Sequence, residues 1–195
     1  MDSLLLILFA YLLGSVLFGE HIARAKGVDI RSVGSGNVGA TNVGRALGIK
    51  YAVLVFLLDT LKGLFPTLLA KLYFGIDSWT LVFVGIASVI GHVFPIFHSF
   101  KGGKAVATSL GVLMGLSPLA GIVCLIIWYA VFKLKGYVSL ASLTASASAP
   151  LLLLIFGYPF KVLLMSFVIV FLVFCRHRDN IARLLEGREH SFKGS

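Results

Sequence analysis

Seven apolar runs, separated by short segments that hold most of the charge, constrain this chain more than any other feature. The runs cover 3–23, 51–74, 79–97, 105–116, 119–132, 137–156 and 160–175. A membrane-crossing helix needs about 20 predominantly apolar residues. Five of the runs approach that length, while 105–116 and 119–132 are short. Pro118, after Ser117, predicts a turn between those two rather than one kinked helix over 105–132. The expected fold is an all-α integral membrane protein, a single helical domain with seven spans. Composition agrees: 58% of residues are hydrophobic and 13% charged, against about 25% charged in soluble domains.

Charge distribution sets the expected orientation. The net charge is +9, which in a soluble protein would point to nucleic acid. Here the basic residues sit between apolar runs, with no aromatic-and-basic stripe on which bases would stack. With the N-terminus outside, loops 24–50, 98–104 and 133–136 and the tail after 175 fall on the inner side and carry most of the Lys and Arg. Only Lys71 and Lys161 fall outside, and merging the two short runs would put the basic tail there too, against the positive-inside rule. The expected arrangement is therefore N-terminus outside and C-terminus cytoplasmic. The first run resembles a secretory leader with "ARA" at 23–25. Its leading charge is Asp2 and its basic residues follow the apolar run, so a retained span is expected. Cys124 and Cys175 both lie in apolar runs, which argues against a disulfide framework or a cysteine metal site.

Three polar segments share the cytoplasmic side of this topology. The first is "VGSGNVGATNVGRALG", 33–48. Its Gly34, Gly36 and Gly39 match a dinucleotide fingerprint, but that pattern requires a strand before it and a βαβ unit around it, and neither is present. Gly34 and Gly36 would let backbone N–H groups approach an anion. Ser35, Asn37, Thr41 and Asn42 add neutral donors, and Arg45 adds a fork for phosphate. Small residues for helix packing would explain the glycines but not two Asn and an Arg together.

The second segment is "GHVFPIFHSFKGGKAVATSLG", 91–111. Lys101 and Lys104 flank Gly102 and Gly103 just before an apolar helix, a setting that attracts phosphate. It is not a Walker A loop, because Ala105 stands where Ser or Thr would be. His92 reads as a hydrogen-bonded structural histidine. The third segment is "CRHRDNIARLLEGREHSF", 175–192. At helical spacing His177, Asn180 and Leu184 share a face beside Arg176 and Arg183. A basic amphipathic helix on lipid explains the arginines but not His177, Asn180 and Glu189.

Asp59 and Lys62, at i,i+3 in the second run, read as a mutually neutralising pair. The Ser-rich stretch 135–148 fits a polar cleft or tight packing. No Ser sits in G-x-S-x-G, no carboxylate pair or His cluster suggests a metal, and no cofactor is expected. An enzyme of this composition would act on an already activated substrate, positioning anions and stabilising charge.

Together, "GSGNVGATNVGR", "GHVFPIFHSFKGGKAVAT" and "HRDNIARLLEGRE" resemble, in order, the motifs of the bacterial acyl-phosphate:glycerol-3-phosphate acyltransferase family. Ala105 departs from the family's usual Gly and leaves both lysines in place. The resemblance implies transfer of an acyl group from a fatty acyl phosphate to the primary hydroxyl of glycerol 3-phosphate. The products would be lysophosphatidic acid and phosphate, at the cytoplasmic face of a bacterial inner membrane, with no acyl-CoA, acyl carrier protein or protein partner required. Carried over by motif, Ser35, Asn37, Thr41, Asn42 and Arg45 bind phosphate or polarise the acyl group. Lys104, with Lys101 and the Gly102–Gly103 backbone, binds a second phosphate. His177 and Asn180 orient the attacking substrate, Glu189 fixes the tail, and Ser142, with Ser139, is an additional contact. The hydroxyl proton goes to His177 or to a substrate phosphate. The rival reading is an anion or organic-phosphate transporter with a path through broken helices. Against it stand the lack of an internal repeat and the crowding of polar groups on one face.

Overall fold

The computed structural model describes residues 2–191, and among these the regular structure is helical throughout. Five stretches are long and apolar enough to cross a membrane: Ser3–Ala25, Ile49–Phe74, Trp79–His98, Pro118–Lys135 and Val138–Ile155. Phe160–Arg176 with Arg178–Leu185 makes a sixth if that pair, bent by 63°, is counted as one span. Exposed Leu, Ile and Phe along these helices form the surface that lipid covers.

The first span is not one rod. It consists of α1 (Ser3–Gly14) and α2 (Phe18–Ala25). The backbone freed at the break is satisfied from outside the helix: Lys62 Nζ donates to Val16 O at 2.7 Å. Non-helical backbone at this depth is tolerated only when protein groups take up its polar atoms. The short α3 (Ala40–Leu47) follows, and then α4 (Ile49–Phe74), the longest helix.

After α5 (Trp79–Val93) the chain makes an irregular loop and enters α6 (Val106–Leu116). Pro118 opens α7 (Pro118–Lys135), with the Ser117 hydroxyl accepting from Ala120 N, so the expected turn at Ser117–Pro118 is present. Antiparallel α8 (Val138–Ile155) and then α9 (Phe160–Arg176) complete the bundle, and α10 (Arg178–Leu185) turns back beneath it.

Eleven residues make α6 about 16 Å long, roughly half a bilayer. It has nearly the bounds of the short apolar run 105–116. Glycines show where it lies. Gly63 is pressed against Thr108, Gly111 against Thr60, and Gly115 against Leu64 and Thr67. Gly111 sits between Thr60 and Leu64 and Gly115 between Leu64 and Leu68, so α4 and α6 rise together as parallel helices, with backbones in the close contact that small residues allow in lipid. The start of α6 lies level with Asp59 and Thr60, about 15 Å along α4 from Ile49. The 94–105 loop thus reaches inward to deliver Lys104. α1 and α5 are likewise parallel: Ser3 meets Thr80, and Gly14 meets Ser88.

Candidate functional site

The inward loop is held by groups from α5 and α9. Gly102 N donates to Val93 O at 3.1 Å, and Gly103 N to His92 O at 3.1 Å. Their carbonyls accept from Arg176, at 3.0 Å and 3.2 Å. A side chain at Gly103 would run into the His92 ring. Ala105 takes a left-handed conformation, φ 59°, the region glycine occupies most easily. The expectation that the Gly102–Gly103 backbone would hold a phosphate is therefore corrected. Both N–H groups are occupied by carbonyls, and the glycines permit a tight turn against α5. Lys101 is exposed, outside the pocket, and its carbonyl accepts from Arg31 at 2.8 Å. It stands apart from the groups that line the cleft.

Lys104 does point into a pocket. Its Nζ donates to Asn180 Oδ1. Asn180 Nδ2 donates in turn to Glu189 Oε1 at 2.7 Å, and Glu189 also accepts from Ser139 at 2.9 Å and Arg183 at 2.8 Å. Burial works to raise the Glu189 pKa, but the hydrogen bonds from Asn180, Arg183 and Ser139 outweigh it. The carboxylate is held below its ordinary value. Burial lowers the Lys104 pKa to about 8, with Glu189 acting in the opposite sense. His177, 3% exposed, sits at the α9–α10 bend. Its Nδ1 lies 2.8 Å from Val173 O. Donation to that carbonyl leaves Nε2 as an acceptor, a tautomer assigned from the bond.

Opposite stands the glycine-rich segment. Gly34 and Gly36 have φ of 57° and 66°, and a side chain on Gly34 would strike the Asn42 amide. Asn42, 1% exposed, donates to Ile30 O at 3.1 Å and Val33 O at 3.0 Å and accepts from Ser35 N at 2.9 Å. Both of its N–H groups are occupied, so it shapes the loop and has no donor left for phosphate, which corrects its expected role. Gly36 N is likewise bonded to Val33 O, and neither Gly34 nor Gly36 lines the pocket. Ser35, Asn37, Thr41 and Arg45 do line it.

The polar pocket is a cleft of about 160 Å³. On one wall are Ser35, Asn37, Thr41 and Arg45, and on the other Lys104, His177, Asn180, Arg183 and Glu189. Two helix starts without side-chain caps open onto it: α3 through Gly39–Thr41 and α6 through Ala105–Ala107. Free N–H groups at such ends favour anions. Ser142 also lines the cleft and accepts from Trp128 Nε1 at 3.1 Å. Among the described residues, no group of three His, Cys, Asp or Glu side chains could hold a metal ion.

Sequence reasoning underrated Asp59 and His92, both of which line the cleft. Asp59 pairs with Lys62 at 2.8 Å, as expected, and lies 3.9 Å from His92 Nδ1. That nitrogen has no hydrogen-bond partner among the described residues. The available signal was an ionisable group inside a span, which is a functional candidate by default.

Against the cleft lies a second, larger cavity of about 710 Å³, lined mainly by aliphatic and aromatic side chains of α4, α6, α7, α8 and α9. Ala40, Thr41, Arg45, Phe56, Val106, Trp128 and Val138 line both. A charged headgroup and a long alkyl chain on one molecule would therefore meet a continuous surface of matching polarity.

Comparison with known proteins gives consistent matches. A family profile described as glycerol-3-phosphate acyltransferase covers residues 4–187. A glycerol-3-phosphate acyltransferase of Aquifex aeolicus is 60% identical over 98% of this chain and 100% of its own length. One from Hydrogenobaculum is 46% identical over 97% of this chain and 96% of its own. Among solved structures, PlsY (YgiH), an integral membrane glycerol 3-phosphate acyltransferase, has been crystallised in a glycerol 3-phosphate form. It superposes with a TM-score of 0.96 at 60% identity, covering 97% of this chain and 95% of that one. Its lysophosphatidic acid form gives 0.94 at 59% identity, with the same coverage.

Proposed function

This chain belongs to the glycerol-3-phosphate acyltransferase family, and on that premise we propose that it transfers a fatty acyl group from an acyl phosphate to the primary hydroxyl of glycerol 3-phosphate. The observation that carries this reading is the shared wall between the cationic cleft and the apolar cavity. The acyl chain lies in the cavity, its carbonyl sits at the junction, and both phosphates lie in the cleft. Ser35, Thr41 and Arg45, with the start of α3, hold one phosphate and polarise the acyl carbonyl. Lys104, with Asn180 and the start of α6, holds the other. Membership of this family displaces the transporter reading.

Acyl phosphate is a mixed anhydride, so no enzyme nucleophile is needed. The glycerol 3-phosphate hydroxyl attacks the acyl carbon, the bond from that carbon to the phosphate oxygen breaks, and the hydroxyl proton ends on the released phosphate. His177 Nε2 accepts the hydroxyl's hydrogen bond and aims it. A carbonyl stands behind His177 in place of the carboxylate that stabilises an imidazolium in hydrolytic triads. A substrate phosphate oxygen is therefore the proton acceptor. Positioning and fixed charge supply the rate. Glu189 holds Asn180 and Arg183 in place.

The topology belongs to the same proposal. The parallel pairs α1/α5 and α4/α6 support seven alternating passes, with the N-terminus outside, the C-terminus cytoplasmic, and the cleft facing the cytoplasm of a bacterial inner membrane. The test is to supply purified protein in detergent with acyl phosphate and glycerol 3-phosphate and assay lysophosphatidic acid. Product is expected from acyl phosphate alone, without acyl-CoA. Product from acyl-CoA only would overturn the choice of donor.

A further inference from the structure

The apolar cavity has an open end and a closed one. Near the cleft it is bordered on α4 by Ile49 and Val53, which are 78% and 48% exposed. From there its lining follows α8 from Val138 to Leu153, a run of about 22 Å. At the far end it meets Leu116, Leu153 and Met165, exposed by 1%, 0% and 0%. This floor is braced from behind. Leu116 O, at the end of α6, accepts from Lys71 Nζ at 2.7 Å and from Tyr158 Oη at 3.2 Å. Met165 is braced differently: it lies over Gly85 of α5, where a side chain would collide with its sulfur. Gly85 itself does not line the cavity.

We infer that Met165, seated on Gly85 and flanked by Leu116 and Leu153, is the stop that sets the length of acyl chain the enzyme accepts. The inference rests on the acyl-transfer reading above and adds a specificity-determining residue to it. A chain that ends short of the floor leaves apolar surface unmatched, and one that is too long must compress against a braced wall. A methylene more or less in such a pocket changes kcat/KM by about tenfold or more. The thioether is unbranched, so a Cβ added at Gly85 would displace it toward the cavity and leave both helix backbones in place.

The experiment uses the full chain in detergent with saturated acyl phosphates of graded length, reading kcat/KM for each. Met165→Ala and the milder Met165→Val deepen the cavity and should move the optimum to longer donors. Gly85→Ala, which touches no substrate, should push the sulfur inward and move the optimum to shorter ones. Adjacent lengths should change their relative kcat/KM by about tenfold, with the KM for glycerol 3-phosphate unchanged. A general loss of packing would lower turnover on all donors alike. If Met165→Ala does not fold, Met165→Val and Gly85→Ala decide the matter. An unmoved length profile in these active variants overturns the inference. A wild-type chain that makes no lysophosphatidic acid from any donor instead overturns the acyl-transfer reading itself.

Discussion

The cleft and the cavity share a wall but are built by different means. The cleft is made from loops and helix ends, and several polar groups in or beside its walls are tied to partners distant in sequence. Lys104 meets Asn180, Ser139 meets Glu189, and Arg176 meets the Gly102 and Gly103 carbonyls. The cavity is made from the sides of five helices and relies on shape alone. In lipid an unpaired polar group costs several kcal/mol, so the cleft can exist only as a nearly complete network. An apolar cavity tolerates exchange of one hydrocarbon group for another. Single changes in the cleft should therefore abolish function, while changes in the cavity should retune it.

The sharpest test of that contrast is Lys104→Ala. It removes the proposed phosphate ligand and leaves Asn180 Oδ1 without its donor, so kcat/KM should fall by about 10²–10³. A fall of only a few-fold would show that the network does not act as a unit. A smaller effect is expected from Leu113→Trp, which places bulk in the middle of the cavity. The KM for the acyl donor should rise about tenfold while that for glycerol 3-phosphate stays constant, as measured by varying each in turn. If both KM values rise together, cleft and cavity are not separable.

The smallest effect is a pH dependence. With its pKa lowered to about 8, Lys104 is charged at neutral pH and loses its proton as pH rises through that value. The kcat/KM should drop by about half at pH 8 and then about tenfold per further unit, as charge-assisted binding of phosphate is lost. Lys104→Arg, which stays protonated, should lack this alkaline limb. A limb that persists in that variant belongs to another group.

The same contrast explains what was legible in the sequence. The helices were, because hydropathy and the excess of Lys and Arg in alternate loops are local signals. So was the turn at Ser117–Pro118. Most residues of the cleft were identified by type, but the use made of N–H groups in and around it was not. Asn42, Gly36, Gly102 and Gly103 looked like phosphate ligands because they carry N–H groups. The structure has those groups occupied by carbonyls, and no composition rule reveals a partner twelve residues away. The short length of α6 was legible too, in the short run 105–116, but the depth at which the 94–105 loop delivers it was not, because that depth follows from packing against α4. The break at Ser15–Leu17 was hidden because the group that satisfies it, Lys62, lies in another span. Asp59 and His92 were dismissed for the same reason, since burial beside a cleft is a tertiary fact.

The bond from Asn180 to Glu189 also has a temporal meaning. Residues 180–189 leave the ribosome well after Lys104, and they complete the seat for a lysine inserted some eighty positions earlier. Until then that ammonium has no amide oxygen to meet. A nascent polypeptide threading into the bilayer therefore stays catalytically silent until α10 has turned back beneath the others.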